Sequence, residues 1–232
     1  SGGVAKCLRM QGKCLYYIKR YDEAWMLMNQ ALDIAIQIDS KKQIVACHKQ
    51  LYYLCREFKR MMNERGDEQA STLFFRESLL HEMYFSEKPR LAELTVRYEA
   101  LRCDIMQQYY MNKDYDNVIR IATSLDIHDD ADPNASCLVY YYKAQAYVKL
   151  ENYPMAKEAF FRELELRKKY LGWEEEDTIL ACQNLGVLHS FCNEREEALA
   201  CFREAYGYEV KKNGEDSEMA QKLLQYISVV ES

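Results

Sequence analysis

The chain has 232 residues, 49% hydrophobic and 29% charged, which is too apolar for a disordered segment and long enough to bury a real core. Its net charge of −6 argues against general nucleic-acid binding, because phosphate recognition needs a basic surface. Eight glycines and three prolines are too few to punctuate a sheet protein, so long helices joined by short loops are expected.

Ser1–Val4, with its "SGG" start, reads as an unstructured cloning remnant, and residues 5–232 as a single domain. From Ala5 to Ile18, Leu8, Leu15 and Ile18 fall on one face. Trp25, Met28, Ala31, Leu32, Ala35 and Ile36 repeat the three-and-four spacing of an amphipathic helix. The polar "KRYDE" between them predicts a tight turn and therefore a helical hairpin. The pattern recurs, predicting hairpins over 5–39, 41–85, 88–125, 136–171 and 177–210, then an unpaired helix over 216–230. Such recurrence describes a repeat array, not a bundle around one centre.

The turns align. Tyr21, Tyr115 and Tyr153 follow polar turns, and the small residues Ala24, Val118, Ala156 and Ala198 open the second helices. Twelve residues earlier stand Gly12, Met106, Ala144 and Gly186, with Lys59 in the same place in the second unit. A small residue there lets two helices approach, with Phe75, Phe160 or Phe202 packing into the gap. The turn tyrosines are therefore expected to be scaffold.

"NLGVLHSFCNEREEALACFREAY" (Asn184–Tyr206) and "YYKAQAYVKLENYPMAKEAFFREL" (Tyr141–Leu164) resemble tetratricopeptide repeats, through Leu185, Gly186, Tyr153, Ala198, Phe202 and Ala205. "KKYLGWEEEDTILACQNLG" (Lys168–Gly186) is similar to the longer repeats of kinesin light chains and of the Leu-Gly-Asn-repeat adaptors. The resemblance is most specific over 137–214, good over 5–39 and weak over 41–125. It implies an all-α, right-handed superhelix of about five hairpins with a C-terminal capping helix.

Catalytic and metal motifs are missing from the sequence. His48, His81, His128 and His189 are scattered, and no H-E-x-x-H, G-x-S-x-G or glycine-rich phosphate loop is present. Cys192 lies one turn from His189, a spacing that a packed thiol and a helix-face histidine satisfy without chemistry. Nine cysteines without a C-x-x-C pair read as reduced core thiols, and with no apolar run of membrane length the expected location is the cytoplasm. "RGD" at Arg65–Asp67 reads as a helix-to-helix turn, and the acidic "DIHDDADPN" (Asp126–Asn134) as a solvated linker lacking the ligand alternation calcium needs. "WEEED" (Trp173–Asp177) reads as an acid-rich helix start. No enzyme activity, cofactor or metal is expected.

In tetratricopeptide arrays the first helix of each hairpin lines the concave surface. Carried over, this offers Lys6, Arg9, Lys13 and Tyr16, then Asp104, Gln107 and Tyr110, then Tyr141, Tyr142 and Gln145, and finally Gln183, Asn184, Val187 and Ser190. Tyr, Gln and Asn can hydrogen-bond an extended peptide while burying its side chains. The expected function is non-catalytic recognition of a peptide or helix of a partner protein, as an adaptor or scaffold, with self-association possible. A chaperone-tail clamp is incomplete here, because Cys103 and Asp104 stand near its basic places in the third unit. Two other readings stay open: a peptide-sensing regulatory domain of a larger enzyme or transcription regulator, and an RNA-binding helical array.

Overall fold

The computed structural model describes residues 2–86, 98–124, 132–173 and 175–232. Every regular element among them is an α-helix, and the helices pair as tetratricopeptide-like hairpins. The pairs are α1 (Gly2–Tyr17) with α2 (Tyr21–Gln37), α3 (Lys41–Glu64) with α4 (Glu68–Glu82), α7 (Pro133–Lys149) with α8 (Tyr153–Tyr170), and α9 (Glu176–Phe191) with α10 (Arg195–Asn213); between α4 and α7 run α5 (Tyr98–Met111) and α6 (Tyr115–Ser124), joined by a turn of the same length. A single helix, α11 (Glu218–Glu231), follows. Helix α1 starts at Gly2, ahead of the Ala5 start read from periodicity. The expected start of the third hairpin near residue 88, most of the acidic linker with His128, and Glu174 of "WEEED" lie outside the described residues.

The turn inside each hairpin is three residues long and is built one way. Its middle residue has a left-handed backbone: Lys19 (φ 61°), Gly66 (74°), Lys113 (60°), Glu151 (58°) and Asn193 (60°). The N–H of that residue donates to the carbonyl three places back at 2.9–3.1 Å, as Glu151 does to Val148. The next N–H donates to the carbonyl five places back at 2.9–3.0 Å, as Asn152 does to Tyr147. This is the Schellman closure, which satisfies carbonyls a helix end would otherwise orphan. Arg65, Gly66 and Asp67 form one such turn, and the Asp67 carboxylate caps α4 by accepting the Ala70 N–H at 2.9 Å.

Close approach inside the hairpins follows residue size. A Cβ placed on Gly186 would stand 2.8 Å from Phe202 Cε1, so only glycine lets α10 lie this near. Gly12 plays the same part against Met28, whose Cε would be 3.0 Å away. At the second hairpin Lys59 occupies the equivalent place and sets its Nζ 4.5 Å from the centre of the Phe75 ring, replacing close packing with a cation over an aromatic face.

The described residues fall into two compact units: 2–86, 98–108 and 123–124 in the first, 109–122, 132–173 and 175–232 in the second. In the first, Ala24, Met28, Ala31 and Leu32 of α2 pack on Cys47, Leu51, Leu54 and Phe58 of α3. Trp25 meets Phe58 edge-on at 5.6 Å, and Phe58 stacks on Phe74 at 5.0 Å. In the second, Phe160 and Leu164 of α8, Ile179, Cys182 and Leu185 of α9, and Phe202 and Ala205 of α10 share one core. Helix α11 closes that core, with Leu223 buried in it and Tyr226 stacked 5.2 Å from Phe202. No helix among the described residues is long and apolar enough to cross a membrane.

Candidate functional site: grooves along the first helices

Three first-helix residues of the second unit come together in one groove. Gln145 of α7 and Asn184 and Val187 of α9 line a hollow of about 250 Å³ with Val148, Tyr153, Phe160, Leu188 and Phe191. Its floor is apolar, and the two carboxamides are the polar groups in its wall. Val187 and Phe191 remain 42% and 65% exposed beside the packed core. Tyr153, predicted as scaffold, packs against the core while its ring meets Phe191 at 5.1 Å.

A second group of expected residues forms an aromatic ladder. Tyr110 lies 5.8 Å from Tyr142, Tyr142 5.4 Å from Tyr141, and Tyr141 6.5 Å from Phe160. All three tyrosines are half-buried. Burial raises the Tyr141 hydroxyl pKa above its ordinary value, and a hydrogen bond with Gln145 partly offsets this.

In the first unit, Arg9, Lys13 and Tyr16 of α1 face α3 across a groove of about 590 Å³ that Tyr17, Ala46, Lys49, Gln50 and Tyr53 complete. A neighbouring hollow of about 420 Å³ runs along α3, lined by Tyr16, Tyr53, Arg56, Glu57, Lys59, Arg60 and Asn63. Glu57 is tied to Arg60 at 3.0 Å, so cations outnumber anions on this face of an acidic protein. Tyr16 packs edge-on to Tyr17 at 5.7 Å, and burial raises its hydroxyl pKa.

The α3 residues are not among those carried over from the tetratricopeptide pattern, yet a signal for them exists. Moving Arg9, Lys13 and Tyr16 forward by the 47 residues that separate Gly12 from Lys59 lands on Arg56, Arg60 and Asn63. Other expected residues sit elsewhere. Gln183 is 94% buried, turned into the core of the second unit instead of the groove, because α9 packs against both α8 and α10. Lys6, Asp104 and Gln107 are exposed and line none of these grooves, and Ser190 is half-buried, its carbonyl engaged in the α9–α10 turn.

The histidine next to Cys192 is engaged in scaffold. His189 Nδ1 lies 2.6 Å from Glu194 Oε2, and Lys157 of α8 binds the other oxygen of the same carboxylate. These two bonds hold the Glu194 pKa below the usual carboxylate range and tie the fourth hairpin to the fifth. Among the described residues, one buried group has metal-ligating character: Cys55 of α3 with Glu77 and His81 of α4.

Among solved structures, BtubC (BKLC) from P. vanneervenii matches 88% of this chain and 80% of its own, at 14% identity and a TM-score of 0.51. The TPR2AB domain of yeast Sti1, solved with pHSP90, covers 100% of both chains at 16% identity and a TM-score of 0.45. No protein-family model and no curated protein matches the chain. The similarity to BtubC is one of fold.

Proposed function

We propose that the chain is a non-catalytic interaction module that binds an extended peptide or helix of a partner protein along the first helices of its hairpins. The observation that carries this reading is the α7/α9 groove. An apolar hollow of about 250 Å³ walled by Gln145 and Asn184 suits one bulky side chain of a bound segment, with the amides reading the main chain on either side. The helices that form it pack into one shared core, so binding should lose little to ordering of the receptor.

The test is selection of binders from a displayed random-peptide library on the whole chain, followed by affinity measurement by fluorescence anisotropy. The Asn184→Ala/Val187→Asp variant should bind the selected peptides about tenfold or more weakly at unchanged far-UV circular dichroism. Equal affinity for both proteins, or no selected binders, would sink the reading. Substituting Tyr141 or Tyr142 is a poorer test, since both are built into the aromatic ladder.

One observation favours a second reading. The α1/α3 groove sets Arg9, Lys13 and Lys49 beside Tyr16, Tyr17 and Tyr53, the cation-and-aromatic pairing that also suits single-stranded RNA. Tight, steeply salt-dependent binding of an unstructured RNA would move the function there.

A further inference from the structure

Glu77 and His81 stand one turn apart on α4, and His48 and Cys55 lie two turns apart on the α3 face opposite them. The four-residue spacing puts carboxylate and imidazole on one side of a helix, as two ligands of one ion must be. All four side chains are fully buried. A sulfur of Cys55, an oxygen of Glu77 and a ring nitrogen of His81 lie within 4.8 Å of one another. His81 Nε2 is 3.5 Å from Glu77 Oε1, and ligands held about 2.0–2.2 Å from a tetrahedral zinc stand roughly 3.3–3.6 Å apart.

The other nitrogen of the ring is also placed. His81 Nδ1 lies 2.9 Å from His48 Nδ1, and the His48 ring is stacked on Tyr84 at 3.7 Å and 12°. With the shared proton on His81 Nδ1, that N–H donates to His48 and Nε2 turns a lone pair towards Glu77. That is the tautomer a metal ligand needs, held by an outer hydrogen bond of the kind that fixes metal-binding histidines.

We infer that Cys55, Glu77 and His81 form a zinc site tying α3 to α4, with His48 as the positioning residue for His81. One thiolate, one imidazole and one carboxylate suit a borderline dication such as Zn²⁺, not Ca²⁺ or Mg²⁺. Thiolate and carboxylate together cancel its charge, as a buried site requires. On binding, the Cys55 thiol proton leaves to solvent, so affinity falls as pH drops.

The experiment is titration of the chelator-stripped whole chain with Co²⁺ and then Zn²⁺, followed by absorbance. A thiolate-to-cobalt charge-transfer band and cobalt d–d bands should form and be abolished by zinc. Both should vanish in Cys55→Ala and Glu77→Gln, and persist in Cys47→Ala, whose buried thiol lies on the same helix. His48→Gln should bind about 10–100-fold more weakly. No band in the wild type, or a band that survives Cys55→Ala, overturns the site. Should Cys55→Ala fail to fold, Glu77→Gln, which is nearly isosteric, decides the same question.

Discussion

Two glycines on neighbouring helices carry opposite instructions. Gly186 meets Phe202 at 2.8 Å and Cys201 at 3.1 Å from where a Cβ would stand, whereas nothing lies within 4 Å of Gly207. Alanine is worth up to about 1 kcal/mol over glycine in a helix interior, so Gly207→Ala should stabilise by roughly that amount. Gly186→Ala forces the Phe202 ring aside and should instead cost about 1–3 kcal/mol. Urea melts of the two variants check the sign. Glu163 offers a pH prediction. It is 1% exposed, and desolvation pushes its carboxyl up to about 7 although Arg167 Nε is 2.8 Å away and pulls the other way. A raised acid binds its proton more tightly folded than unfolded, so its contribution to stability is full below pH 4.5 and is lost as pH rises to about 7. The loss is on the order of 3 kcal/mol at 1.36 kcal/mol per unit. Glu163→Gln should flatten that fall in a series of melts from pH 4.5 to 8; a parallel profile would refute the assignment.

At the scale of the element, the turns show what hydrophobic periodicity can and cannot reveal. The helix pairing was legible because apolar residues recur on one face and a small residue follows each polar turn, as Ala24 and Ala156 do, both fully buried. The left-handed residue was not legible, because four of the five are lysine, glutamate or asparagine instead of glycine. A side chain in that conformation costs about 1–2 kcal/mol, and the two main-chain bonds of the motif hold it there. Glu151→Gly should therefore stabilise by about 0.5–1 kcal/mol, and Gly66→Ala should destabilise by about 1–2 kcal/mol although its Cβ would meet nothing within 4 Å. Equilibrium unfolding of the pair measures both. The same limit explains Gln183. The tetratricopeptide pattern offered Gln183 to the concave face, but α9 is covered on two sides and its polar residues cannot all face solvent.

At the scale of the whole molecule, stability is divided between local cores. Leu223 is fully buried among the α9–α11 side chains, so Leu223→Ala should cost about 2–5 kcal/mol. In a repeat array that loss concentrates in neighbouring elements. Native-state hydrogen exchange should show protection falling in α9–α11 first and persisting in α2 and α3; a uniform loss would point to one cooperative body. Repeat architecture was readable from the sequence, and the tetratricopeptide pattern offered Gln145, Asn184 and Val187, which the structure sets around one hollow. The basic α3 face was not readable, because Lys59, a large residue in a small-residue place, weakens the match of the second hairpin to the repeat pattern; the structure shows it over the Phe75 ring.

The uniform turn has one more consequence. Because main-chain atoms close it, the turn forms with Lys, Gly, Lys, Glu or Asn at its centre, at a modest cost wherever the residue is not glycine. Each hairpin is then specified by a handful of sizes and an apolar stripe, leaving most letters free to drift. Such a fold can be copied along a chain and diverge quickly, so that two hairpins of one protein keep the same joint while sharing little spelling.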